Sequence, residues 1–259
     1  MTYSTAATRK EIEFTPNLAN GSKGVAVRKL QEWLNLNQMG TAIDGDFGPA
    51  TQAALKKFQK SQGLNISGVL TLQTWNALIK PMVDVLNTTI QNPISIEAAC
   101  LKVAKTHLAV HPLEIGGPNR GPWVRLYTGG NEGPSWLWCA GFVSVVVAQA
   151  SHLSSLLAPI KSSLSCDTLA AAAKANGKFV TGRSVLDSAS AASLLGACAI
   201  FLIRRSPGDW EHMGFAFNFN GSTFETIEGN TNDDGNSDGY EVCTRIRKLS
   251  SEKDFIKLG

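Results

Sequence analysis

Apolar residues recur at helical spacing at Val25, Val27, Leu30, Leu34 and Leu36, and again at Leu55, Phe58 and Leu64. That period predicts two amphipathic helices early in the chain. Around them the sequence repeats itself. Asp44-Gly45-Asp46-Phe47-Gly48-Pro49-Ala50-Thr51-Gln52-Ala53-Ala54-Leu55 is echoed by Ser67-Gly68-Val69-Leu70-Thr71-Leu72-Gln73-Thr74-Trp75-Asn76-Ala77-Leu78. In each copy a glycine turn leads into a threonine and then an apolar pattern, as expected of an N-capped helix. A three-helix unit over residues 18–80 follows. Trp33, Phe58 and Trp75 fall at helical spacing and are assigned to its core.

Residues 81–93 contain Pro81, Asn87, Thr88, Thr89 and Pro93 and read as a linker, partly helical. Beyond it, helices are expected from near Ile96 and over the small, apolar run Ala140 to Ala150. A Ser/Ala-rich insertion spans residues 153–195, with a helix at Ala170 to Ala175 ending at Gly177. The period then changes to two. Met213 to Phe219 alternates as a strand does, Asn220-Gly221 reads as a tight turn, and Ser222 to Ile227 as the returning strand. Residues 197–203 and 240–247 supply further strands. Helices first and strands last make residues 94–259 an α+β domain. With a two-residue turn, Phe219 pairs with Ser222, which sets His212 opposite Gly229 with Glu228 and Asn230 on either side.

The chemistry gathers on these elements. Ser135-Trp136-Leu137-Trp138 precedes Cys139 at the mouth of a helix, where free backbone N–H groups and the helix dipole stabilise a thiolate. Taken alone, a cysteine is more often a buried packing residue. His212 at the start of a strand, across a hairpin from Glu228 and Asn230, adds a base and an orienting group.

Trp138-Cys139-Ala140-Gly141-Phe142-Val143, His212-Met213-Gly214-Phe215 and Ile227-Glu228-Gly229-Asn230-Thr231-Asn232 together resemble the CHAP family, cysteine- and histidine-dependent amidohydrolases and peptidases of peptidoglycan. The resemblance implies a papain-like catalytic domain with N-terminal helices and an antiparallel sheet. It implies Cys139 as nucleophile, His212 as general base and Glu228 as its orienting partner. Asn230 falls where the family carries a polar active-site residue, for oxyanion stabilisation or support of His212. Trp136, Trp138, Trp210 and Tyr127 are the aromatics nearest the cleft in sequence, candidates both for lining it and for the core. The repeat resembles the three-helix peptidoglycan-binding domain of cell-wall hydrolases, and Asp44 on its first loop is the expected polar contact to the wall. The second copy departs from that pattern, with Ser67 for the acidic residue and Thr71 for the second glycine.

The implied reaction is acyl transfer from a peptidoglycan amide through a thioester, without a cofactor. The bond is either the muramoyl–L-alanine amide or a peptide bond of the stem or cross-bridge. A wall-binding protein with an inactive second domain, or a cysteine acyltransferase on another amide, are the alternatives. The other histidines, His107, His111 and His152, have no acidic neighbour in sequence and read as surface or packing residues. Cysteines 100, 139, 166, 198 and 243 form no Cys-x-x-Cys pair and no metal spacing, and an odd count of five argues against a complete disulfide framework. Asp233, Asp234, Asn236 and Asp238 lack the alternation and closing glutamate of a calcium loop and read as a solvated turn. A formal net charge of +3, with no basic cluster interleaved with aromatics, gives no support to nucleic-acid binding. Residues 1–14 carry charges and no apolar run, so neither a secretory signal nor a membrane span is expected. A monomer acting on peptidoglycan is expected. Synthesis would be cytoplasmic, followed by holin release as a phage lysin, the preferred reading, or by delivery as an antibacterial effector.

Overall fold

The computed structural model describes residues 3–91, 95–232 and 239–259. In chain order the helices α1 (Ala6–Ile12), α2 (Val25–Leu36), α3 (Pro49–Ser61), α4 (Leu72–Leu78), α5 (Lys80–Leu86) and α6 (Ile96–Ala109) come first. They are followed by α7 (Pro122–Tyr127), α8 (Cys139–Ser154) and α9 (Cys166–Ala175). Strand β1 (Phe179–Val180) precedes two short helices, α10 (Gly182–Leu186) and α11 (Ala191–Leu195). The chain closes with β2 (Cys198–Ser206), β3 (Asp209–Asn220), β4 (Thr223–Thr231), β5 (Glu241–Lys248) and β6 (Lys253–Lys257). It is a mixed fold, helices plus an antiparallel sheet.

Two compact units result. The N-terminal unit comprises Ser4–Asp84 with Leu113–Pro134; the C-terminal unit comprises Val85–Pro112 and Ser135–Gly259, with Tyr3. The sequence-based boundaries differ from this division in two places. The partly helical linker begins with the helix Lys80–Leu86, within which the division falls after Asp84, and Leu113–Pro134 returns to the N-terminal unit. The reason for the return is chemical. Arg125 on α7 is buried, and a buried guanidinium needs carboxylates around it. Its Nη2 donates to Glu32 at 2.7 Å and Glu11 at 2.9 Å, and its Nη1 to Glu132 at 2.7 Å. Beside it, Trp123 stacks on Tyr127 and meets Trp33 edge-on.

The core of the N-terminal unit is the apolar set foreseen from periodicity, with Val27, Leu30, Trp33, Leu34, Leu55, Phe58 and Trp75 all buried. Helix α1, which the pattern does not signal, is held by a Thr5–Thr8 capping box.

In the C-terminal unit the strands run in the order β1-β6-β2-β3-β4-β5, with every described pairing antiparallel. Phe201, Phe224 and Phe255 pack on one another on one face, together with Val185 of α10 and Leu195 of α11. Helix α8 packs on β3 and β4, where Phe142 meets Phe215 edge-on. Strands β1 and β6 were not foreseen. Both are short, and β6 reaches the sheet interior only because β2 has a free edge for it.

The β3–β4 hairpin departs from the expected register. Asn220 pairs with Thr223, Phe217 with Glu225 and Phe215 with Ile227. Between the first two pairs β3 carries two residues where β4 carries one, a bulge in which Asn218 takes φ +48°. Asparagine tolerates that left-handed conformation better than most residues. The turn falls at Gly221-Ser222 rather than Asn220-Gly221, and turn and bulge together move the register by one, which sets Phe215 across from Ile227.

Candidate active site

Cys139 is the first residue of α8 and Cys166 the first of α9, so each thiol stands at a helix N-terminus. Helix α8 has no side-chain cap and no acid in its first turn, leaving its N–H groups and dipole to act on the sulfur. The two sulfurs are 3.9 Å apart. Ser165 caps α9, and Asp167 accepts a 2.8 Å hydrogen bond from the Trp210 backbone N–H of β3.

His212 is fully buried, and its Nε2 lies 2.8 Å from Oε2 of Glu228. Its Nδ1 is buried without a close hydrogen-bond partner. That nitrogen is the one left for Cys139, and thiol and imidazole each shift the other's pKa. Glu228 is itself clamped. Arg247 on β5 donates from Nε to Oε1 and from Nη2 to Oε2, both at 2.6 Å, and the Thr226 hydroxyl donates to Oε1. A bidentate guanidinium and a hydroxyl leave the carboxylate little freedom. The sequence reasoning missed Arg247 and Cys166. Arg247 lies opposite Phe224 on β5, two positions beyond Arg245, and only the registers of two hairpins bring it to Glu228.

Burial alone would lower the His212 pKa, but hydrogen bonds and charge from Cys139 and Glu228 outweigh it and raise it to about 9. Cys139 moves the opposite way. The hydrogen bond from Cys166 lowers it most, burial opposes, and His212 lowers it further. Cys166 is correspondingly pushed up, first by that bond and then by burial. Burial works to raise Glu228, yet Arg247 and His212 hold it at about 2. A thiolate beside an imidazolium is thus the favoured state, the form in which cysteine is a nucleophile.

Two glycines permit this approach. A Cβ on Gly214 would come within 2.9 Å of Glu228 Cγ and 2.8 Å of the Ile227 carbonyl oxygen. A Cβ on Gly229 would lie 2.7 Å from Phe142 and 2.8 Å from the Trp138 ring. Asn230 is buried on β4 with φ +56°. Of the aromatics expected near the cleft, Trp136 is half-buried and the other three are buried. Trp138 is fully buried against Gly229. Trp210 is buried, donates from Nε1 to Asp254 at 2.9 Å and lies under Lys174. Tyr127 belongs to the core of the N-terminal unit. Their burial suits large rings, which contribute most when desolvated.

Of the other histidines, His107 is buried against Gln149 at 3.0 Å, with burial driving its pKa down to about 4. His111 meets Glu241 of β5 at 2.5 Å, an acidic partner distant in sequence. No group of three His, Cys, Asp or Glu is placed to hold a metal among the described residues. Asp233, Asp234, Asn236 and Asp238 lie outside those residues.

In the N-terminal unit the repeat is carried by two buried glutamines. Gln31 Nε2 donates to Asp44 Oδ1, the Asp46 carbonyl and Thr51 Oγ1, while its Oε1 accepts from the Asp44 and Gly45 N–H groups. Gln59 repeats the scheme with Ser67 Oγ, the Val69 carbonyl, Thr74 Oγ1 and the Gly68 N–H. Gly45 and Gly68 both have positive φ, 75° and 70°, which the turns require. Thr51 and Thr74 are therefore loop anchors rather than caps. The caps are Gly48, followed by Pro49 at the first helical position, and Thr71. Asp44 likewise serves its own loop, accepting from Gln31 and from the Asp46 N–H at 2.8 Å.

Residues 23–78 match the family model described as a putative peptidoglycan binding domain. This peptidoglycan-binding domain ends where α4 does. The chain is 45% identical over 65 residues to a zinc D-Ala-D-Ala carboxypeptidase of Streptomyces albus G, covering 24% of this chain and 25% of that protein. It is 43% identical over 65 residues to an uncharacterized protein in the bpoA1 3' region of Kitasatospora aureofaciens, covering 24% of this chain and 55% of that one. The chain thus spans between a quarter and about half of these relatives. The crystal structure of the SleB N-terminal domain is 33% identical, over 26% of this chain and 96% of that one, with a TM-score of 0.26.

Proposed function

We propose that this protein hydrolyses an amide of bacterial peptidoglycan through Cys139, His212 and Glu228, in a papain-like domain of the CHAP type. The observation that carries the reading is the ordered line Cys139, His212, Glu228, Arg247, with the thiol pKa lowered and the histidine pKa raised. The Cys139 thiolate attacks the amide carbonyl, and the imidazolium of His212 gives its proton to the leaving amine. Water then opens the thioester with His212 as base. Glu228, held by Arg247, fixes the ring and stabilises its charge. The Cys139 backbone N–H at the helix mouth supplies one oxyanion donor, and Asn230, buried on the same hairpin, is the polar group for a second.

The peptidoglycan-binding domain supports the substrate class, holding the wall while the C-terminal unit cuts. Similarity to a protein named as a D-Ala-D-Ala carboxypeptidase agrees with a wall substrate. A binding module joined to such a hydrolase suits a phage lysin released at lysis.

Mass spectrometry of soluble products from purified sacculi, with wild type and Cys139→Ala, tests the reading. Fragments from the wild type alone are expected, and their new termini name the bond. Silence from both across several wall chemotypes would leave a wall-binding protein.

A further inference from the structure

The acyl-transfer chemistry uses one cysteine, yet a second is built into the same site. Cys166 Sγ lies 3.9 Å from Cys139 Sγ, and both thiols are buried, 8% and 3% exposed. Its position is fixed rather than incidental. The Ser165 cap and the Asp167 bond to the Trp210 N–H pin the start of α9 beside β3, two residues from His212. Serine or alanine would fill the same volume, and neither would react with its neighbour. Cys100 and Cys198 show the contrast: burial is the first cause raising both, to about 12 for Cys100, so neither is an oxidant-reactive thiolate.

We infer that Cys166 is a resolving thiol, which under peroxide-class oxidants closes a reversible Cys139–Cys166 disulfide and switches the nucleophile off. The Cys139 thiolate attacks one oxygen of the peroxide, forming an S–O bond as the O–O bond breaks. The released hydroxide takes the proton from the His212 imidazolium and leaves as water. The Cys166 sulfur then attacks the sulfur of the Cys139 sulfenic acid. The S–S bond forms, the S–O bond breaks, and hydroxide leaves with the Cys166 proton as a second water. Two thiols are oxidised and one peroxide is reduced to two waters. The sulfurs need only close from 3.9 Å to about 2.05 Å, a shift within reach of side-chain rotation. Capture of the sulfenic acid spares Cys139 the irreversible sulfinic and sulfonic states.

The disulfide does not depend on the peptidoglycan reading; only its effect on wall hydrolysis rests on that reading. Reduced full-length protein, freed of reductant and exposed to hydrogen peroxide, is alkylated and analysed by intact mass and peptide mapping. The expected product is a cross-link joining the peptides of Cys139 and Cys166, lost on adding dithiothreitol. Cys166→Ser is expected to accumulate sulfinic acid on Cys139 about tenfold faster than the wild type. Near-UV circular dichroism reports whether that variant is folded, and the wild-type cross-link stands without it. No cross-link between residues 139 and 166, with Cys139 over-oxidised at equal rates in wild type and Cys166→Ser, overturns the inference. A reducible cross-link in a protein that releases nothing from sacculi supports the inference and sinks the hydrolase reading. Lytic activity without the cross-link does the reverse.

Discussion

His212 and Glu228 meet at 2.8 Å across a hairpin that turns at Gly221-Ser222 and carries one residue more on β3 than on β4 at Asn218. A turn at Asn220-Gly221 without the bulge would put residue 212 opposite residue 229 and turn Glu228 to the other side of the sheet, since side chains alternate faces. The bulge lies six residues from His212, about 20 Å along an extended strand. The face shared by base and carboxylate is therefore set at the turn end of the hairpin, far from the chemistry.

Deleting Asn218 removes the extra residue while Phe217 still faces Glu225 and Asn220 still faces Thr223, so His212 is expected to keep Glu228 and Cys139 its reactivity. Asn218→Gly keeps the positive φ and is expected to stay within about 1 kcal/mol of wild type. Asn218→Val, β-branched at φ +48°, is expected to lose about 1–2 kcal/mol. Urea titrations and the rate of iodoacetamide reaction with Cys139 measure both effects. A folded deletion variant whose Cys139 has lost its reactivity would refute the register argument.

Glu228→Gln removes the charge that Arg247 and His212 share while preserving shape. The His212 pKa is expected to fall and that of Cys139 to rise, so less thiolate is present at neutral pH. Activity should drop by about 10²-fold or more, as when the orienting acid of a triad is neutralised. Arg247→Met leaves Glu228 buried with fewer partners and is expected to cost about 3 kcal/mol in chemical unfolding. Equal activity in Glu228→Gln and wild type, across the pH range, would remove Glu228 from the mechanism.

The pH dependence follows from signs. Glu228, held at about 2 in the folded protein, contributes stability above about pH 4.5 that is lost as pH falls toward 2. The full effect is about 3 kcal/mol from a shift of roughly two and a half units. Cys139, whose pKa is lowered from an ordinary value of 9.0, contributes stability above that pH and loses it as pH falls from there. His212, raised to about 9, contributes below 6.5 and loses that contribution as pH climbs through 9. Between about 6.5 and 9 the gain from the lowered Cys139 opposes the loss from His212 as pH rises. Activity, which needs the imidazolium to protonate the leaving group, should fall through about 9. Unfolding free energies at pH 3 and 7 for wild type and Glu228→Gln test the acid limb, where the variant should change less.

Much of the site was legible because its residues sit at recognisable places on their elements: Cys139 at a helix mouth, His212 and Glu228 on two strands of one hairpin. The orienting role of Glu228 was read from a register one residue out, and the displaced turn and the bulge at Asn218 that correct it have no hydrophobic signature. Cys166 and Arg247 were missed because neither has a local signal. They reach the site through tertiary packing, one by way of α9 docking on β3 and the other through the β4–β5 register. In the N-terminal unit the apolar period located the core, whereas the return of Leu113–Pro134 was hidden in a buried charge cluster, which no hydrophobic pattern reports. Aromatics near Cys139 were read from sequence distance as candidates for cleft or core, and Trp138, Trp210 and Tyr127 are buried.

The last prediction concerns the two glutamines. Gln31 is fully buried and satisfies two backbone N–H groups, one carbonyl and two side chains of the first loop. Gln31→Ala would strand those groups out of water, at a cost of about 1–3 kcal/mol for the buried donors and acceptors left unmet. Gln59→Ala breaks a smaller set around Gly68 and is expected to cost less. The two also separate the loops functionally. If the Asp44 loop holds the wall, Gln31→Ala should reduce co-sedimentation of the full-length Cys139→Ala protein with purified sacculi severalfold, while Gln59→Ala at matched folded fraction should reduce it less. Equal loss from both, once scaled to thermal stability, would mean the loops act only by supporting the three helices.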